Sequence, residues 1–286
     1  MKTKTVVIFL ILFFAINKTE AQYSLRNDSI INEAISLIDA DSVESQLQWL
    51  QDIETRFLMA PNHKEVSENI KARFESFGIT EVRLDSFQCY TSINYGILQY
   101  DTTTWQYNVE AKIIGSVYPD EEILLMGHHD NVQLDSDPEI FTPGADDNAS
   151  GTVAALETAR VLMQMGYQPE RTVVFLTTAA EELMNFGDAG SEYYAAEAES
   201  SGRNIWGVIN NDMIAYDNGS DVITFSNVIG SEEITGVAEL ITNAYTWLTP
   251  YIPGPSPNSG ADLKPFINAG YHGVYLMESY FNPYYH

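Results

Sequence analysis

Residues 122–130 read EILLMGHHD: a short run that is apolar without a break from Ile123 to Met126, then Gly127, then His128, His129 and Asp130. Apolar continuity over so few residues marks a strand buried on both faces, as inside a parallel sheet. Two later stretches repeat the pattern. TVVFLT at 172–177 leads to Glu181 and Glu182, and IWGVIN at 205–210 leads to Asn211 and Asp212. Between the first two lies a helical stripe of Ala155, Leu156, Ala159, Leu162 and Met163. Alternating buried strands and helices predict an α/β fold with a central, mostly parallel mixed sheet flanked by helices on both faces. Sheets of this kind bind ligands beyond the carboxyl ends of their strands, which is where the polar groups fall.

Residues 143–151, PGADDNASG, add Asp146 and Asp147 just ahead of that helix. One reading is a solvated turn that caps the helix. The other is a metal site with one carboxylate turned inward. The strand-end groups favour the second, because imidazole and carboxylate together are zinc ligands. In the H-x-D pattern at 128–130, Asp130 would orient His128 through its other ring nitrogen. Of the adjacent Glu181 and Glu182, one can bind metal while the other faces a water molecule.

Outward from this centre, Ile31, Ala34, Ile35 and Ile38, then Leu47, Leu50 and Ile53, recur at helical spacing, and a third helix is expected from His63 to Phe77. GITEVRLDSFQCY from residue 78 and NVEAKIIGS from residue 108 alternate like strands, the second with Val109, Ala111 and Ile113 on one side. A further helix begins near Glu232, with Ile234, Val237, Ala238, Ile241 and Tyr245 on one face. TPYIPGPSPNSG, 249–260, is too rich in Pro and Gly for a regular element and reads as a loop. No repeat or linker divides the chain after its first residues.

Those first residues carry Lys2 and Lys4, an apolar run from Val6 to Ile16 and a polar stretch ending at Ala21. This is the layout of a secretory signal, so residues 1–21 are expected to be removed and residues 22–286 to form one domain outside the cytoplasm, secreted or periplasmic. The run is too short to span a bilayer and no later one is long enough. With a net charge of −26 the surface repels nucleic acid and anionic membranes. Cys89 is the single cysteine, so no disulfide forms within the chain.

GHHDN, PGADDNASG, AAEE, NNDM and NAGYHGVYLMES, in that order over about residues 107–286, resemble the secreted co-catalytic di-zinc aminopeptidases of the bacterial leucyl aminopeptidase type. The resemblance implies a zinc-exopeptidase-like fold and two zinc ions per chain. It also implies that His128 and Asp212 bind one zinc, that Glu182 and His286 bind the other, and that Asp147, which directly precedes Asn-Ala-Ser-Gly, bridges both. Glu181 would be the general base, Asp130 would orient His128, and the substrates would be peptides. A glutaminyl cyclase, a carboxypeptidase and a non-catalytic binding domain on the same scaffold are the alternatives. The complete set of ligands and base favours the aminopeptidase.

The chain departs from the family pattern at Asp262-Leu263 and at Gly270-Tyr271-His272. His272 stands where the family has proline and is the main competitor of His286 for the last ligand position. The family segment after that ligand has no counterpart beyond His286, so the domain is expected to be incomplete at its C-terminus.

Overall fold

The three apolar runs form neighbouring parallel strands, and their alternation divides the interior into two cores. The computed structural model describes residues 28–286 except Ile97, residues 183–188, Asn218 and Phe281. The expected signal, 1–21, lies outside the described residues. Helices α1 (Asp28–Ser36), α2 (Ala40–Gln51) and α3 (His63–Ser76) come first, followed by strands β1 (Glu81–Tyr95), β2 (Leu98–Ile113) and β3 (Tyr118–His128). Then come α4 (Ser150–Met165), β4 (Arg171–Thr178), α5 (Gly190–Ser200), β5 (Asn204–Asn211) and β6 (Val222–Phe225). The chain continues through α6 (Glu232–Tyr245), β7 (Thr249–Tyr251), α7 (Leu263–Asn268) and β8 (Gly273–Glu278).

The strands make one eight-stranded sheet in the order β1-β2-β4-β3-β5-β8-β6-β7. Its centre, β4-β3-β5-β8, is parallel, whereas β2 joins β4, and β6 joins β8, antiparallel. Ile123 and Leu125 of β3, with Val173 and Phe175 of β4, pack under α1 to α4 and α6. Their alternates Leu124, Met126, Val174 and Leu176 pack on the other face against Tyr194 and Ala195 of α5 and Leu263 and Phe266 of α7. A period of two on a strand covered on both faces requires such a continuous apolar run. The expected class of fold, with helices on both faces, is borne out.

The N-terminal helices are tied to α4 by Glu157, a fully buried carboxylate. It accepts from the Asp39 amide at 3.2 Å, Ser42 Oγ at 2.9 Å, Gln46 Nε2 at 3.1 Å and Arg160 Nε at 2.8 Å. Arg160 also donates to the Leu37 carbonyl at 2.7 Å, so the ends of α1 and α2 cannot slide on α4 without breaking charge-assisted bonds.

Two elements differ from the sequence reading. The strands expected near 78–90 and 108–116 are parts of a hairpin paired from Glu81↔Lys112 to Tyr95↔Leu98, much longer than the apolar pattern suggests. Its far half lies against Phe57, Leu58, Val132, Ala179 and Ala180 through Phe87, Cys89, Ile93 and Leu98, a third small core. The stretch from 249 is not wholly irregular, because Thr249–Tyr251 pairs with β6 at the sheet edge, where a proline costs no ladder bond.

Candidate metal centre

The polar residues that follow β3, β4 and β5 converge with the turn before α4. That turn requires two glycines. Gly144 has φ +42°, and a Cβ on it would meet Asn131 Nδ2 at 2.4 Å and the Asp147 carbonyl at 2.5 Å. A Cβ on Gly151 would lie 2.2 Å from the Asn211 carbonyl, so only glycine lets the start of α4 close on the end of β5. Asn148 fixes the approach: its Nδ2 donates to the Asn211 carbonyl at 2.9 Å while its Oδ1 accepts from the Gly151 amide at 2.8 Å.

This backbone turns Asp147 inward and Asp146 away. Asp147 Oδ1 lies 3.2 Å from His128 Nε2, and its Oδ2 lies 3.4 Å from His286 Nε2. Asp146 instead accepts from the Ala215 amide at 2.9 Å and Asn282 Nδ2 at 2.8 Å. His128 Nε2 also lies 3.6 Å from Asp212 Oδ1 and 3.6 Å from Glu181 Oε2, and Glu182 Oε2 lies 3.3 Å from His286 Nε2. Two ligand sets result, His128 with Asp147 and Asp212, and Asp147 with Glu182 and His286. In each set the potential ligand atoms lie within 4.8 Å of one another. Asp147 is common to both.

Asp130 touches this centre in two ways. Its carbonyl lies 3.1 Å, and its carboxylate 3.6 Å, from His128 Nδ1. The carboxylate also accepts from the amides of Glu181 at 3.1 Å and Glu182 at 3.3 Å. The backbone entering those glutamates is not extended, since Ala180 has φ 62°, and this lets both side chains reach the centre. His129 is a different kind of residue. It is buried between Ser67 Oγ and Thr177 Oγ1, each at 3.2 Å, and burial pulls its imidazole down to about 4, so it stays neutral. His272 is exposed and lies beside Gly230 at the amino end of β8, away from the strand ends that carry the centre.

The crowding shifts protons. Burial alone would lower His128, but Glu181 and the neighbouring aspartates hold it well above the ordinary imidazole range. Burial likewise opposes the charge on His286, yet its bonds to Asp147 and Glu182 raise it to about 9. Burial, reinforced by Asp147, pushes Glu182 to about 7, and burial pushes Glu181 well up. Asp147 alone moves the other way: despite burial, the two histidines keep it ionised.

Three buried atoms of the ligand sets, His128 Nε2, Glu182 Oε1 and Asp212 Oδ1, have no hydrogen-bond partner among the described residues. Buried polar atoms are nearly always satisfied, so orphans that converge on common points suit a cation. Mixed imidazole and carboxylate donors fit zinc.

Sequence reasoning missed several residues around the centre. Asp262, fully buried, accepts from Thr178 Oγ1 at 2.6 Å, and burial raises it to about 6. Tyr275 places its hydroxyl 3.5 Å from Asp212 Oδ2. Arg56 is buried beneath the centre. The position of Tyr275 inside an apolar strand was the one available signal, because a buried phenol needs a polar partner.

A family model described as Peptidase family M28 matches residues 108–286. A probable aminopeptidase of Saccharomyces cerevisiae is 25% identical over 264 residues, which are 90% of this chain and 67% of the relative. Across the curated relatives the chain spans about two thirds of their length or less. LapB from Legionella pneumophila has the same fold, with a TM-score of 0.72 at 23% identity over 94% of this chain and 70% of that one. A glutaminyl cyclase from Fimbriiglobus ruber shares the fold too, with a TM-score of 0.66 at 16% identity over 84% of each chain. The expected aminopeptidase-type fold and family are borne out.

Proposed function

The chain belongs to peptidase family M28, and from that premise we propose that it is a zinc-dependent aminopeptidase that removes N-terminal residues from peptides. The observation that carries this reading is the meeting of two ligand sets at Asp147. His128 and Asp212 would hold one zinc, Glu182 and His286 the other, and Asp147 both. When bound, the zinc pair polarises the scissile carbonyl and makes a water molecule easier to deprotonate.

The remaining work belongs to side chains. Glu181 takes a proton from the water as its oxygen bonds to the carbonyl carbon. It returns that proton to the amine nitrogen as the carbon–nitrogen bond breaks. Burial raises this carboxyl, which helps it hold the proton between the two steps. Asp130 keeps His128 in register and pins the turn that carries both glutamates.

The side chains around the centre favour the amino end of the substrate. The centre is lined by carboxylates, and the arginine nearest to it, Arg56, has its guanidinium bonded to main-chain carbonyls. The zinc pair would offset the charge of its own ligands, so the preference rests on Arg56, which is already engaged by carbonyls and offers a terminal carboxylate no partner. The leader pattern at residues 1–21 supports export, which predicts a mature N-terminus at Gln22 by mass spectrometry.

The test is a panel of peptides with free or acetylated N-termini and free or amidated C-termini, assayed with and without zinc. Hydrolysis should require zinc and a free amine and tolerate amidation. Cleavage of acetylated peptides that fails on amidated ones would identify a carboxypeptidase. Conversion of N-terminal glutamine to a cyclic product with ammonia release would identify the cyclase chemistry of the structural neighbour.

A further inference from the structure

Arg56 heads the largest fully buried side chains among the described residues, and none of its hydrogen bonds there goes to a carboxylate. Its Nε donates to the His129 carbonyl at 2.8 Å, and Nη1 donates to the carbonyls of Leu50 at 2.9 Å and Pro143 at 3.2 Å. Nη2 donates to the Gly144 carbonyl at 2.7 Å. The guanidinium has five N–H groups in one rigid plane, and the four used here reach the end of α2 and two loops. One loop follows His128 directly and carries Asp130. The other leads into Asp147.

The same segment closes the chain between those loops. The Arg56 amide points at Asn131 Oδ1, 3.2 Å away, and Asn131 Nδ2 donates to the Thr142 carbonyl at 2.6 Å. The Thr142 amide donates to the Glu54 carbonyl at 2.7 Å. A buried charge without an ion pair is costly, and a core that needed only hydrogen bonds would be served by neutral groups. Here the charge lies under carboxylates. Burial lowers the guanidinium to about 10, the negative charges of Asp130, Glu182 and Asp147 oppose that shift, and the group stays cationic at neutral pH.

We infer that Arg56 is a positioning residue for the metal centre: it sets the separation of the loop that follows His128 from the loop bearing Asp147 and supplies a fixed positive charge beneath them. This rests on the two-zinc reading above. A residue that fixes ligand geometry from behind acts on metal affinity and on turnover, whereas a residue that only fills the core acts on stability.

The test compares Arg56→Lys and Arg56→Gln with Arg160→Lys. Arg160 is a control because it bonds a main-chain carbonyl, as Arg56 does, and additionally a buried glutamate, but between α1 and α4 rather than at the centre. Zinc affinity is measured by competition with a chromophoric chelator, the Tm of the metal-free chain by calorimetry, and kcat and KM on a free-amine dipeptide. Lysine keeps the charge but offers its donors from a single nitrogen, so it cannot span the four carbonyls. Arg56→Lys should lower zinc affinity about 10- to 100-fold and lower kcat with KM near wild type. Arg160→Lys should lower the metal-free Tm and leave zinc affinity unchanged.

The inference is overturned if Arg56→Lys loses Tm but binds zinc and turns over like wild type. If Arg56→Lys does not fold, Arg56→Gln is measured against the same outcomes, and failure of both to fold assigns Arg56 to the core alone. Wild-type protein that takes up no zinc would defeat the reading of the centre itself, a result visible before any variant is made.

Discussion

The two halves of the centre are supported differently. His128 ends β3, Asp212 follows β5, and both strands lie in the parallel middle of the sheet. Glu182 stands on a turn after β4 and His286 on the segment after β8, held through the Asp147 amide donating to the Tyr285 carbonyl at 3.1 Å. The His128 side chain is 1% exposed and that of His286 is 15% exposed. Ligands on strand ends inherit the precision of the sheet, and ligands on loops depend on local contacts. Similar donor sets should therefore hold metal unequally, with the His128 half tighter.

Removing the shared ligand breaks the comparison altogether. Asp147→Asn should lose zinc from both halves and reduce turnover to background, while Asp146→Asn, altered on the far side of the turn, should retain both ions. Metal counting by plasma mass spectrometry decides this. Two zincs retained in Asp147→Asn would mean that the halves do not share a ligand.

Next in size is Glu181→Gln, which tests whether one glutamate of the pair lies outside the metal sets. Turnover should fall by about two to four orders of magnitude with zinc content unchanged. Loss of zinc from this variant would make Glu181 a ligand and redraw the His128 half.

A smaller effect sharpens the contrast between halves. Under stepwise chelation the His286 half should empty first, and His286→Ala should keep one tightly held zinc while Asp212→Asn keeps only a weak one. The reverse order would show that strand anchoring does not control affinity.

Last comes pH. Without metal, Asp147 and Glu182 raise His286 to about 9 and burial raises Glu182 to about 7, so zinc should displace a proton from each at pH 6 but only from His286 at pH 8. Affinity in this half should rise with pH, by about tenfold per unit for each displaced proton, and level off above about 9. Stability of the metal-free chain runs oppositely. The raised His286 contributes fully below the unfolded imidazole value near 6.5 and loses its contribution as pH rises through about 9. The raised Glu182 destabilises the metal-free fold increasingly as pH rises from its unfolded value toward about 7. The gap in Tm between zinc-bound and metal-free protein should widen from pH 6 to 9, and a gap that narrows would refute these assignments.

What the sequence disclosed follows from how each part is buried. The inner strands were legible because burial on both faces demands unbroken apolar runs, and the residues just beyond them mark the strand ends. The hairpin was legible only at its base. Toward the tip, Thr102, Thr103 and Thr104 replace the apolar alternation, because the adjacent Thr102 and Thr103 are both exposed and that part of the strand buries neither face. Asp147 was distinguishable from Asp146 only through the motif that follows, since which carboxylate turns inward depends on a left-handed Gly144 and on Asn148. Arg56 gave no sequence signal of its burial. Its partners are carbonyls contributed by residues of any type, and main-chain acceptors leave no trace in side-chain identity.

Cys89, 4% exposed, lies in the small core between the hairpin and the Phe57–Ala60 segment. Because it is the only thiol in the chain, it makes that contact observable without engineering. A thiol-reactive dye can modify it only while the hairpin stands off the body of the protein, so the labelling rate reads the free energy of that local opening. The same core includes Val132 and Ala180, neighbours of the loops that carry Asp130 and Glu181. Labelling that slows when zinc is added would report, from a residue outside the centre, how far metal binding tightens the structure around it.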